Sequence, residues 1–156
     1  MASTQQEQFE KTVNVFIESI DNYFTTLTDM PVITKPPFVK EPELLLLKEC
    51  TGMIGVSGIK KGFIYISGST ELYEDLIRRY VGLSSPDERD ILDMAGELSN
   101  VVSGNVRETY GDDFMISVPI VFKGTPDNLY FPDDVPIYVI PVEWNSYEAY
   151  MVVGLK

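Results

Sequence analysis

Glu97 and Asn100 stand three residues apart in the run Ser85 to Tyr110, SPDERDILDMAGELSNVVSGNVRETY. On a helix that spacing makes their side chains surface neighbours, so a carboxylate lies beside a carboxamide. The ionised carboxylate only accepts hydrogen bonds, whereas the carboxamide both donates and accepts. The rest of the composition narrows the chemistry. There is no histidine and only one cysteine, Cys50, so neither a Ser-His-Asp nor a Cys-His nucleophile system can be assembled within the chain, and most transition-metal sites lose their usual ligands. Carboxylates, amides, hydroxyls, lysines and tyrosines remain as reagents. On spacing alone the pair reads first as an ordinary solvated helix face.

The element that must position the pair carries the strongest helix signal in the chain. Ser85 is placed to cap it, Pro86 suits the first helical position, and Glu88 follows Ser85 by three to close a capping box. At about 100° per residue, Ile91, Leu92, Ala95, Leu98, Val102 and Val106 share one side, with Met94 and Val101 at its margin. That side needs a core. Asp90, Asp93, Glu97, Asn100 and Gly104 fall on the opposite side, facing water or a partner. Gly96 and Gly104 each cost about 1 kcal/mol relative to alanine in a helix. Close approach by another surface around the pair would explain them, and close packing within the chain explains Gly96 as well.

The residues G-E-L-S-N at Gly96 to Asn100, followed by Gly104 and Asn105, resemble the helix motif of the CheX/CheC/FliY phosphatases of bacterial chemotaxis. Gly52 to Gly68, GMIGVSGIKKGFIYISG, is similar to the glycine-punctuated hairpin of that family, and Met115 to Gly124, MISVPIVFKG, to the strand after its motif helix. The resemblance covers nearly the whole chain and is closest to CheX. It implies dephosphorylation of a CheY-type response regulator carrying a phospho-aspartate. Asn100 would hold and orient the attacking water, and Glu97 would dock against the regulator's active-site lysine. Docking, and not a general-base role, is the part expected of Glu97. Any Mg2+ would be supplied by the regulator, with no cofactor of the chain's own, and protomers would pair by strand addition into a homodimer. A non-catalytic adaptor on the same fold is the competing reading.

Some members of the family repeat the motif in their first long helix. Placing Asn14 on Asn100 puts Lys11 on Glu97 and Phe24 on Tyr110, so the first copy would read Lys11-x-x-Asn14 and only one site is complete.

The 156 residues suit a single domain, 1–156, of α/β (α+β) class. The expected architecture is a pseudo-twofold CheC-like fold with two long helices on one face of a mainly antiparallel sheet. Thr4 to Leu27 forms the first long helix, with Phe9, Val13, Phe16, Ile20 and Phe24 on its inner stripe. Thr28 to Pro42 is a stiff, proline-rich arm, and the leucine run in Glu43 to Cys50 predicts a buried strand. Met53–Ser57 and Phe63–Ser67 follow as strands joined by a turn with Lys60 and Lys61, then a helix over Thr70–Val81 capped by Ser69 and ended by Gly82. Phe114–Phe122 is a strand whose Pro119 implies an edge or a bulge, and Val135–Glu143 with Glu148–Leu155 make a final hairpin.

A net charge of −12, from 24 acidic and 12 basic residues, argues against nucleic acid or an anionic membrane as partner and favours basic protein surfaces. Asp112-Asp113 and Asp133-Asp134 read as solvated pairs rather than metal ligands. A reducing, cytoplasmic setting is expected, with Cys50 buried in a strand.

Overall fold

The middle of the molecule is a hairpin of two strands, β3 (Cys50–Gly58) and β4 (Gly62–Gly68), paired in register from Cys50 opposite Gly68 to Val56 opposite Gly62. The computed structural model describes residues 2–41, 46–127, 129–132 and 134–156. Strand β4 is flanked on its other side by β8 (Tyr147–Leu155), which pairs in turn with β7 (Ile137–Trp144). The hairpin turn of that last pair is Asn145-Ser146, both at positive φ, the geometry that matches the twist of a two-residue hairpin. Two-residue strands β1 (Ile33–Thr34) and β2 (Phe38–Val39) border β7, while β5 (Phe114–Ile116) and β6 (Ile120–Lys123) border β3. Every pairing is antiparallel.

Alternation divides the sheet's side chains between two apolar clusters. Ile64 and Ile66 of β4, Met151 and Val153 of β8, and Ile140, Val142 and Trp144 of β7 point to the main core. The long helices α1 (Ala2–Thr28) and α3 (Glu88–Tyr110) cover that face, contributing Phe16, Ile20 and Phe24 from the first and Ile91, Ala95, Leu98 and Val102 from the second. Phe63, Tyr65, Val139 and Val152 point the other way, where Leu46, Leu47 and Phe131 pack on them. Burial on both faces explains why Phe63 to Ile66 of β4 form a continuous apolar and aromatic run rather than alternating with polar residues. The architecture is thus α+β, with both long helices on one face of an antiparallel sheet.

The leucine run departs from its expected strand. Positions 42–45 lie outside the described residues, and Leu46 to Glu49 is not strand. Tyr65 Oη donates to the Leu46 carbonyl at 2.7 Å, and the Lys48 amide donates to Ser67 Oγ at 2.7 Å. Side chains of the sheet therefore hold this segment against its open face, where Leu46 and Leu47 lie partly buried, and sheet pairing begins only at Cys50. The proline-rich arm is extended as expected but also pairs with β7, through β1 and β2 on either side of Pro36-Pro37. The Pro141 carbonyl accepts from the Lys35 amide at 2.9 Å. Since a strand residue's N–H and C=O point to the same side, the donor that Pro141 lacks is missing from the arm and not from β8.

Pro119 makes a bulge. From Ile116 to Ile120 the chain advances four residues while its partner β3 advances three, from Val56 to Met53, leaving one extra residue in the bulged strand. Val118 in this interruption is 82% exposed, and Ile120 just beyond it is 67% exposed.

Candidate functional site

Helix α3 is seated on the sheet by small residues at its inner surface. Ser99 Oγ, fully buried, donates to the Gly52 carbonyl of β3 at 2.8 Å. A Cβ on Gly52 would collide with the Ala95 carbonyl oxygen and come within 2.8 Å of Ser99 Oγ, so only glycine lets the helix backbone lie this close to the strand. One turn away, a Cβ on Gly96 would come within 2.9 Å of Val121 Cγ1 and 3.5 Å of Pro119 Cγ. Packing against β6 and its bulge therefore accounts for Gly96. Around Gly104 nothing lies within 4 Å of an added Cβ, and that glycine leaves an open surface one turn beyond Asn100.

With Ser99, Leu98 and Ala95 turned inward, the 100° step of the helix carries Glu97 and Asn100 outward. Both are exposed. Among the described residues, no hydrogen bond or salt bridge within the chain engages the Glu97 carboxylate or the Asn100 amide. Tyr23 of α1 lies within electrostatic reach of Glu97. Burial first, and the Glu97 charge second, push its phenol above the ordinary tyrosine range, so the hydroxyl keeps its proton and remains a donor. The five residues G-E-L-S-N thus split their work: Gly96, Leu98 and Ser99 fix the rod, while Glu97 and Asn100 are displayed by it.

The start of α3 differs from its expected form. Asp87, not Ser85, is the N-cap: its side chain accepts from the Asp90 amide at 2.9 Å, and Asp90 reaches back to the Asp87 amide at 2.9 Å. A short carboxylate in extended backbone two residues later completes the reciprocal box with another aspartate at N3, so Ser85, Pro86 and Glu88 are not needed for it. The helix over Thr70–Val81 is capped by Ser69 and ended by Gly82 as expected, but it changes pitch. An α-helical part, α2 (Thr70–Leu76), runs into one turn of π-helix over Ile77–Val81, closed by Gly82 at φ 88°. This turn places Val81, and Leu83 after it, beside the N-terminal half of α3, where a notch of about 320 Å³ ends at Glu97. Sequence reasoning missed this feature; its one signal was a pair of apolar residues flanking a helix-ending glycine.

Lys11 and Asn14 are exposed on the outer side of α1 and line a separate shallow depression with Glu7 and Glu10. Among the described residues, no group of three or more cysteines, aspartates and glutamates is gathered where it could hold a metal ion. Asp134 is paired with Lys156 at 2.7 Å; its neighbour Asp133 lies outside the described residues. Cys50 is buried in β3. Among the described residues no helix is long and apolar enough to cross a membrane.

Residues 50–143, from β3 through the motif helix to β7, match the family model described as chemotaxis phosphatase CheX. The chain belongs to the CheX family. Solved structures agree at the level of the fold. The CheX chemotaxis protein of Vibrio vulnificus is 22% identical with a TM-score of 0.80, over 94% of this chain and 99% of that one. The CheX protein of Desulfovibrio desulfuricans is 21% identical with a TM-score of 0.81, over 94% and 99%. A CheX from Borrelia burgdorferi, solved in complex with CheY, BeF3 and Mg2+, is 14% identical with a TM-score of 0.73, over 92% and 97%. No curated protein sequence matches the chain significantly.

Proposed function

We propose that this CheX-family protein hydrolyses the phospho-aspartate of a CheY-type response regulator. An acyl phosphate is already activated, so catalysis reduces to placing water in line with phosphorus and balancing charge around it. The Asn100 amide accepts from and donates to that water, and so holds it without acting as a base. The oxygen–phosphorus bond of the phospho-aspartate breaks as water adds to phosphorus; aspartate carboxylate and inorganic phosphate leave, and the water's protons pass to phosphate and solvent. Glu97 pairs with the regulator's active-site lysine and sets how deeply α3 enters. Mg2+ would be held in the regulator's own acidic pocket, where it would balance charge on the phosphoryl group.

The observation that carries this reading is the exposed, internally unengaged Glu97–Asn100 pair on a helix clamped from behind. It is supported by the family and by a fold neighbour solved with CheY. The test is the decay of phosphorylated regulator with catalytic amounts of the protein. Acceleration with turnover, lost in Asn100→Ala, is the expected result. Stoichiometric binding with unchanged decay would instead make the protein an adaptor.

Two copies pair through the outer edge of β6, where Ile120 and Val118 are exposed. The bulge at Pro119 confines such pairing to the short run Ile120–Lys123.

A further inference from the structure

The notch between the π-helical turn and α3 is left without a role by the catalytic pair alone. Its floor is apolar, from Ile77 and Met94, and its outer lip is Val81 and Leu83, 60% and 42% exposed. Its other wall is acidic: Asp90, Asp93 and Glu97 rise along one face of α3 at intervals of three and four. Val81 and Leu83 are two of several exposed large apolar residues of the described surface, and what sets them apart is their place in one notch with three carboxylates.

Continuity and charge identify the occupant. Glu97 is both the end of the notch and the group that docks the regulator in the function proposed above, on which this inference rests. Four residues, a rise of about 6 Å along the helix, separate Asp93 from Glu97. A stable protein interface covers about 800 Å² of each partner, far more than two side chains provide. A second copy of this acidic chain is disfavoured, since it would bring carboxylates against carboxylates. An anionic lipid surface is disfavoured for the same reason.

We propose that the notch is the second docking contact for the same phosphorylated receiver domain, taking from it an apolar side chain flanked by lysine or arginine. Val81 and Leu83 grip the apolar group, and Asp93 attracts its basic neighbours. The notch then selects which receiver domain is accepted, while Asn100 acts on whichever is seated. Affinity and turnover are separated along the helix: the first half of α3 binds and the middle reacts.

The experiment uses the full chain with the CheY-type receiver domains of the source organism, each charged with beryllofluoride and Mg2+ for binding and with phosphate for decay. The variants are Val81→Asp/Leu83→Asp and, separately, Asp93→Lys. All three positions are at the surface, and a thermal melt checks folding. The expected result is a Kd and KM raised about tenfold or more, with kcat at saturation within about twofold of the unaltered protein. Asp93→Lys should lose most affinity at low salt and little at high salt. Unchanged Kd and KM in both variants, beside an active unaltered protein, overturn the notch and leave the phosphatase reading intact. So do a lowered kcat at unchanged Kd and a change in oligomeric mass without a change in Kd. If the unaltered protein neither binds nor dephosphorylates any receiver, the phosphatase reading fails and the notch assignment falls with it.

Discussion

Asn100 and Glu97 are neighbours with different tasks, and their truncations should separate in kinetics. Asn100→Ala removes the group that holds water, so kcat should fall by about two orders of magnitude while binding of the beryllofluoride-charged regulator is kept. Glu97→Ala removes a charge that meets a lysine at the interface, at a cost of about 2–5 kcal/mol in binding, so KM should rise. Asn14→Ala should leave decay rates unchanged, because Lys11 in place of a glutamate leaves the α1 copy incomplete; a loss matching Asn100→Ala would mean two working sites. At this scale the pair was legible in the sequence, because three-residue spacing on a capped amphipathic helix fixes which side chains share a face. The phenol of Tyr23 within electrostatic reach of Glu97 was not legible, since its place depends on how α1 packs across α3, and no local pattern carries that crossing.

The motif helix is held as an element by its contact with β3. Gly52→Ala should test this, because the added methyl would strike the Ala95 carbonyl oxygen and Ser99 Oγ. Backbone and a buried hydroxyl cannot step aside cheaply, so we expect a loss of about 1–3 kcal/mol in stability together with slower regulator dephosphorylation as α3 is lifted. Chemical denaturation and the decay assay read the two effects, and unchanged values in both would show that the helix does not depend on this close approach. The hairpins and helices could be read from periodicity and turn residues, Gly82 among them. The leucine run could not be read in this way. A short apolar stretch in a strand and one lying across a sheet have the same composition, and only the hydroxyls of Tyr65 and Ser67 decide between them. Likewise the cap lies at Asp87 and not at Ser85, because the Asp87 and Asp90 side chains each accept from the other's backbone amide.

For the whole molecule, the two edges of the sheet are unlike. One is bordered by the proline-split arm, while the other exposes Val118 and Ile120 beside a bulge. We expect twice the monomer mass by light scattering at micromolar concentration, reduced to the monomer by Ile120→Lys, because a charge there must be desolvated for strands to meet. A monomeric mass before the substitution would remove the homodimer. The sequence pointed to an edge or a bulge at Pro119, and the strand is both, but which of the two sheet edges lies bare depends on long-range pairing that no single stretch encodes. The clamp of Ser99 on Gly52 has a consequence for how two proteins meet. A rod already fixed from behind has little freedom left to surrender on encounter, so most of the ordering entropy of association falls on the visitor.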